Sequence, residues 1–177
     1  MSEHGTYTTD DGRPAVRFER RLAHPVDAVW RTVTDPAELR HWFPTSVELE
    51  LRVGAPMRFV HGDGEVFEGE LRELDPPRRL AFLWGGDLLR FELELEPDGD
   101  GTRLTLVHVL LDEGADAAAR TAAGWHVCLA ALERTLAGQA AAAPDGPSPE
   151  WRERYAEYVA LGFPAGAPIP GDAQTTS

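Results

Sequence analysis

One apolar pattern near the C-terminal third of the chain predicts a long α-helix. Between residues 115 and 136, apolar residues recur at steps of three and four, the spacing of one helical face. This stripe consists of Ala118, Thr121, Trp125, Cys128, Leu129, Leu132 and Leu136. Asp112 or Asp116 is placed to cap the start, and Gly138 to end the helix. A helix of about 22 residues is roughly 33 Å long and needs a large apolar partner surface.

A second apolar pattern, with a period of two, precedes this helix and predicts β-strands. The first strand is predicted over residues 15–23, and six more follow from residue 47 onward, separated by glycine, proline and aspartate turns. Two short helices are predicted between the first strand and the second, over residues 25–43. We therefore predict an α+β fold, with a curved seven-stranded antiparallel sheet wrapped around the long C-terminal helix.

The two ends of the chain are predicted to lie outside this domain, which spans residues 15–138. Residues 1–14 are polar and are predicted to be a flexible lead-in. Residues 139–177 are rich in Ala, Pro and Gly, and are predicted to contain a linker, a short helix over about 149–161 and a disordered tail from residue 165. The sequence leaves open whether the short helix docks on the domain. We expect residues 139–177 to be dispensable for folding.

The acidic composition disfavours two classes of partner. The chain has 177 residues and a net charge of −13, which disfavours binding to a nucleic-acid backbone or to an anionic membrane surface. No apolar run is close to the length that spans a bilayer, which is about 20 residues. The first residues lack the features of a signal peptide. A single cysteine excludes an internal disulfide. We expect a cytoplasmic protein.

Several short strings occur in an order and spacing that resemble a known family. They are Pro25-Val26-Asp27-Ala28-Val29-Trp30, Thr34-Asp35-Pro36 with Leu39 and Trp42, Gly69 with Asp75-Pro76-Pro77-Arg78-Arg79-Leu80 and Trp84, Gly101-Thr102-Arg103-Leu104-Thr105-Leu106 with His108, and Gly124-Trp125. Over residues 15 to about 138, the chain resembles the START-like (SRPBCC) superfamily. Within it, the chain is similar to bacterial relatives of the C-terminal domain of the activator of heat-shock-protein-90 ATPase. The resemblance implies a helix-grip fold.

A helix laid over a curved sheet leaves room for a cavity, and the inward positions predict a mostly apolar lining with a few polar groups. The predicted lining consists of Trp30, Trp42, Met57, Phe59, Phe67, Leu71, Phe82, Trp84, Phe91, Leu93, Leu106, His108, Trp125, Cys128 and Leu129. Such a lining suits a hydrophobic small molecule. The alternative is that these side chains fill the space at ordinary packing density.

His108 is a polar side chain at an inward position between Leu106 and Leu110. A buried ring must find a hydrogen-bond partner, so His108 is either a structural core residue or the polar group that orients a ligand. The His and Cys spacings match no metal-binding motif, and no phosphate-binding loop or nucleophile elbow occurs. We therefore predict no metal and no cofactor, and we assign no catalytic residue.

Three functions remain open, because the superfamily includes lipid carriers, polyketide cyclases and cochaperones. The favoured function is non-enzymatic binding of a hydrophobic small molecule. The second is a small enzyme of the polyketide cyclase or hydrolase sort, with His108 as acid or base in the same cavity. The third is a module that binds a chaperone partner through its acidic surface. A second polar group within hydrogen-bond reach of His108 favours the enzyme over the binder.

Overall fold

A computed structural model describes residues 3–144 and 146–170 of the chain. The elements are β1 (Thr6–Asp10), β2 (Arg13–Leu22), α1 (Val26–Thr34), α2 (Pro36–Leu39), β3 (Ser46–Glu48), β4 (Pro56–Val60), β5 (Val66–Asp75), β6 (Arg79–Trp84), β7 (Asp87–Leu95), β8 (Thr102–Val109), a 3-10 turn (Ala115–Ala117), α3 (Ala118–Leu136) and α4 (Pro149–Ala160).

The described strands form one unclosed antiparallel sheet, in the order β1-β2-β8-β7-β6-β5-β4-β3. Side chains alternate between its two faces, so that Phe91 of β7 lies opposite Leu106 of β8 on the inner face. Helix α3 covers this inner face and shares one apolar core with it. The predicted α+β helix-grip fold is confirmed.

The first strand differs from the prediction, because Thr6–Asp10 of the expected flexible lead-in forms β1 and raises the number of strands to eight. It pairs with β2 across a two-residue turn, Asp11 and Gly12. Their φ values of 48° and 77° are those that a type I′ hairpin turn requires. The prediction of seven strands missed β1 because an exposed edge strand needs no apolar alternation.

Helix α3 ends as predicted, with Gly138 in the left-handed conformation at φ 71°. Its start differs from the prediction, because the capping position is Ala117 and neither Asp112 nor Asp116 caps the helix. Asp112 instead donates its backbone N–H to the carboxylate of Asp87, at 2.8 Å. The segment that leads into α3 is therefore held by a residue of the sheet.

Helix α4 docks on α3 and completes the core. Its first turn is capped by Ser148, which accepts the backbone N–H of Trp151 at 3.1 Å. Trp151, Tyr158 and Phe163 are buried in the same core as α3. A Cβ on Gly124 would lie 3.7 Å from Nε1 of Trp151, so Gly124 faces α4.

The residues after α4 continue along the start of α3, where Ala167 donates its backbone N–H to the carbonyl of Asp116 at 3.2 Å. The predicted disordered tail therefore does not begin at residue 165, and residues 171–177 lie outside the described part of the chain. Together with the buried side chains of α4, this contact argues against the expectation that residues 139–177 are dispensable.

The hydroxyl of Tyr158 joins α4 to two other segments. It accepts the backbone N–H of Gly5 at 2.9 Å and lies 2.9 Å from Nδ1 of His126 in α3. Because its oxygen accepts from Gly5, its hydrogen is available to donate to His126. Burial, and next the positive charge of Arg154, lowers the pKa of His126 to about 4. The ring is therefore a neutral acceptor near pH 7.

Replacing the hydroxyl of Tyr158 tests how far this junction stabilises the fold. Tyr158→Phe keeps the ring but leaves two buried groups unpaired, so we expect the free energy of unfolding to fall by about 1–3 kcal/mol in urea denaturation. Tyr155→Phe is the matched control, because in the described structure the Tyr155 hydroxyl makes no hydrogen bond. Equal losses in the two variants would contradict the assignment.

The pKa of His126 predicts a loss of stability in acid. The unfolded chain binds this proton near the ordinary pKa of 6.5 and the folded chain near 4, so the contribution is complete above about pH 6.5 and is lost as the pH falls towards 4. We expect His126→Gln, which keeps an acceptor for Tyr158, to lose less stability than the parent between about pH 7.5 and about pH 4.5. An unchanged pH dependence in His126→Gln would refute the prediction.

Candidate functional site

Aromatic rings fill the space between the sheet and the middle of α3. The ring of Phe43 lies 5.7 Å from those of Trp84 and Trp125, centroid to centroid. Phe59 stacks on Phe67 at 5.1 Å. These are ordinary distances between packed aromatic rings. The structure therefore has a filled core at this place.

The predicted lining residues separate into three groups. All fifteen pack in the core or against it, and eleven of them line neither of the two unfilled spaces in the structure, namely Trp42, Phe59, Phe67, Leu71, Trp84, Leu93, Leu106, His108, Trp125, Cys128 and Leu129. Met57, Phe82 and Phe91 line a small enclosed cavity. Trp30 lines an open groove at the surface. The structure thus places four of the predicted residues at an unfilled space.

The enclosed cavity has a volume of about 10 Å³ and lies between the sheet and the α1–α2 segment. The rest of its lining consists of Val33, Leu39, Phe43, Val47, Leu49 and Leu80. All nine lining residues are apolar. This volume is close to the smallest that holds one water molecule, so the cavity as it stands has no room for a ligand.

The open groove lies at the surface and has a volume of about 410 Å³. Its walls are Trp30, Arg31, Thr34, Asp35 and Pro36 from the α1–α2 segment, and Leu49 and Leu51 from the loop between β3 and β4. The volume falls within the range of small-molecule sites, about 300–1,000 Å³. Leu51 is 47% exposed, and Val53 in the same loop is 55% exposed. The groove therefore presents apolar surface to solvent.

Leu49 lines both the enclosed cavity and the groove. It is half-buried, packs against the core and lies in the loop formed by residues 49–55, outside the two strands that this loop connects. Leu49 is therefore part of the wall between the two spaces.

Sequence reasoning missed Val47, Leu49 and Leu51 as lining residues. The sequence did contain a pattern that could have identified them. These three apolar residues alternate with the charged Glu48 and Glu50, which is the period-two pattern of a strand. The alternation continues past the end of β3 into a loop, which a strand pattern alone does not reveal.

Both ring nitrogens of His108 are bound by side chains. Nε2 lies 2.8 Å from Oδ2 of Asp87, and Trp125 donates its indole N–H to Nδ1 at 2.9 Å. Because an indole only donates, Nδ1 is unprotonated, and Nε2 carries the hydrogen that it donates to Asp87. The other oxygen of Asp87 accepts the backbone N–H groups of Asp112 and Glu113 at 2.8 and 3.3 Å. This chain of bonds ties β7, β8, the segment before α3 and the middle of α3 together.

The network matches the structural interpretation of His108 better than the catalytic one. Asp87 is the second polar group that would favour an enzyme, but the indole of Trp125 occupies the other ring nitrogen. A general base needs a ring nitrogen within reach of its substrate. His108 lines neither the cavity nor the groove. We assign it to the attachment of α3 on the sheet.

The other reactive side chains of the described residues form no second candidate centre for catalysis or metal binding. Burial raises the pKa of the Cys128 thiol, which keeps it protonated and unreactive. Within residues 3–144 and 146–170, no three His, Cys, Asp or Glu side chains are grouped closely enough to hold a metal ion. Across those same ranges, every helix is too short or too polar to cross a bilayer. The cavity and the groove are the candidate site.

Comparison with known proteins places residues 23–137 within a protein family. They match the family model described as activator of Hsp90 ATPase homolog 1-like protein. No curated protein sequence matches the chain significantly.

Solved structures show the same fold. EF2215 from Enterococcus faecalis, a conserved protein of unknown function, has a TM-score of 0.68 at 21% identity, over 89% of this chain and 91% of its own. CalU16 from Micromonospora echinospora has a TM-score of 0.65 at 26% identity, over 89% of this chain and 94% of its own. DynU16, from the dynemicin biosynthetic locus, has a TM-score of 0.63 at 28% identity, over 76% of this chain and 50% of its own.

The bond between His108 and Trp125 predicts coupled losses of stability. Trp125→Phe leaves Nδ1 of His108 unpaired and should lower the free energy of unfolding by about 1–3 kcal/mol. His108→Leu leaves both the indole of Trp125 and one oxygen of Asp87 unpaired and should lower it by more. The loss of unfolding free energy in the double variant should be smaller than the sum of the two single losses by at least about 0.5 kcal/mol. The reason is that the second change removes a group that is already unpaired. Strictly additive losses in urea denaturation would contradict the coupling.

Proposed function

The chain belongs to the family of activator of Hsp90 ATPase homolog 1-like proteins, and we propose that it uses its helix-grip fold to bind a hydrophobic small molecule without catalysing a reaction. The observation that carries the proposal is that Leu49 separates an apolar cavity from an open groove of about 410 Å³. Most small-molecule sites are concave and mostly apolar, with a few polar groups at the edge.

The ligand lies in the groove and extends towards the cavity. Trp30, Pro36 and Leu51 offer apolar walls on opposite sides of the groove, while Arg31 and Asp35 supply polar groups. A flat ring system buries the most area against such walls. About 25 cal/mol is gained for each Å² of apolar surface removed from water, so the apolar contacts supply most of the affinity.

A change of Leu49 rotamer joins the two spaces. Leu49 lies at the start of a loop without strand pairing, so its side chain turns at a smaller cost than one fixed in the sheet. The vacated volume adds to the cavity, and the apolar end of the ligand then contacts Met57, Phe82 and Phe91. In the free protein, Leu49 fills the space that the ligand takes.

One relative supports a small-molecule role. DynU16, which is 28% identical over 76% of this chain, is described as a protein of the dynemicin biosynthetic locus. A place in a biosynthetic locus fits a protein that handles a small molecule.

A chaperone partner is the second candidate, favoured by the family description and by the exposed apolar side chains of Leu51 and Val53. Exposed apolar patches mark protein interfaces as well as ligand grooves. Stimulation of the ATPase of a purified heat-shock-protein-90 chaperone, lost in Leu51→Ser together with Val53→Ser, would support this candidate.

Filling the groove with a larger side chain tests the proposal. The parent should bind the neutral dye Nile red saturably at one site, and Leu49→Trp should weaken this binding by at least about tenfold because the indole occupies the ligand volume. Leu95→Trp is the control, since Leu95 is 67% exposed at the end of β7 and belongs to neither lining. Circular dichroism melts verify that both variants fold. Equal dye affinities in the parent and the folded Leu49→Trp variant would overturn the proposal.

A further inference from the structure

Arg31 brings a positive charge to the open groove. It is an exposed residue in the last turn of α1, and it lines the groove. Four of the seven lining residues are apolar, and the two charged ones are Arg31 and Asp35. The groove therefore offers a ligand both apolar walls and charged groups.

The other two polar lining residues are engaged within the α1–α2 segment. Thr34 donates its hydroxyl to the carbonyl of Trp30 at 2.7 Å. Oδ1 of Asp35 accepts the backbone N–H of Ala37 at 2.9 Å and so caps α2. The Arg31 side chain makes no hydrogen bond in the described part of the chain, so it is the charged group of the groove that remains available to a ligand.

The guanidinium of Arg31 is unpaired although acidic residues are plentiful. The chain has 30 Asp and Glu residues against 17 Lys and Arg residues. Two exposed arginines of the sheet, Arg58 and Arg79, each contact a glutamate, at 3.1 and 3.0 Å. Among residues 3–144 and 146–170, no Asp or Glu carboxylate lies within 4.0 Å of the Arg31 guanidinium. A guanidinium is always charged and offers five N–H donors, so Arg31 can bind an anion without breaking an existing ion pair.

We propose that the ligand is a flat apolar molecule with a single carboxylate, which pairs with Arg31 at the mouth of the groove. This inference rests on the proposed function. A carboxylate accepts two parallel hydrogen bonds from a guanidinium. The carboxylate of Asp35 lines the same groove and repels negative charge, which disfavours doubly charged groups such as a phosphate monoester. The uncharged end of the ligand lies towards Leu49, because burying a charge among apolar side chains is unfavourable.

Three probes with one ring system test the inference at neutral pH. 2-Naphthoate is an anion, 2-acetylnaphthalene is neutral and 2-naphthylmethylammonium is a cation. We expect the parent to bind the carboxylate most tightly. Arg31→Gln should lower the ratio of affinities, carboxylate over ketone, by at least about threefold, with the ketone affinity unchanged.

Two further variants control for the overall charge of the protein. Arg134 is also exposed, lies in the last turn of α3 and lines neither the cavity nor the groove. Arg134→Gln removes the same charge and should keep the parent ratio. Asp35→Asn keeps a capping residue for α2 but removes the repelling charge, so it should raise the ratio. Circular dichroism melts verify that all three variants fold.

Each contrary result has a distinct meaning. Equal losses in Arg31→Gln and Arg134→Gln would show a general charge effect and overturn the inference. Tighter binding of the ammonium than of the carboxylate by the parent would identify Asp35 as the binding charge and also overturn it. If the probes bind and Arg31→Gln leaves the ratio unchanged, the inference fails while the proposed function stands. If none of the three probes binds the parent, the proposed function fails for flat aromatic ligands, and the inference fails with it.

Discussion

The hydrogen bond from the indole of Trp125 to His108 is the interaction on which the arrangement of helix and sheet depends. It crosses from α3 to β8, and Asp87 extends it to β7 and back to the residues before α3. Much of the buried face of α3 is alanine, as at Ala119 and Ala122, and small side chains bring the helix close to its neighbours. Trp125 is therefore the large side chain that positions α3, and its polar partner fixes where the ring lies.

This attachment determines where the core remains unfilled. With α3 held close, aromatic rings fill the centre of the core, and the unfilled volume lies beside the α1–α2 segment and the start of the β3–β4 loop. The wall at this place is Leu49, a side chain outside regular structure. In the proposed binding mode, the aromatic core stays fixed and only the side chain of Leu49 moves. The fold is then the same with and without the ligand.

Most of the fold could be predicted from the sequence, because period-two and helical patterns record which faces are buried, and Leu106, His108 and Trp125 all lie inward as expected. The polar strand β1 could not be predicted in this way, since an edge strand buries little. The partner of His108 was also beyond prediction, since Asp87 is 21 positions away in the chain and meets it only through strand pairing. The positions of the unfilled spaces could not be predicted for a related reason. Inward positions identify a core, but whether that core is filled depends on side-chain volumes brought together from distant segments.

Methyl-resolved NMR during titration with 2-acetylnaphthalene tests the central claim most directly, because it locates the ligand without altering the protein. The claim is that the ligand enters between the groove and the cavity at Leu49. The account predicts that the largest shift changes fall on the methyl groups of Leu49, Val47 and Val33, which line these spaces. It also predicts that the methyl signals of Leu129 and Leu132, buried in the core with α3, stay unchanged. Changes concentrated at Leu129 and Leu132, with Leu49 unaffected, would place the ligand under α3 and contradict the account.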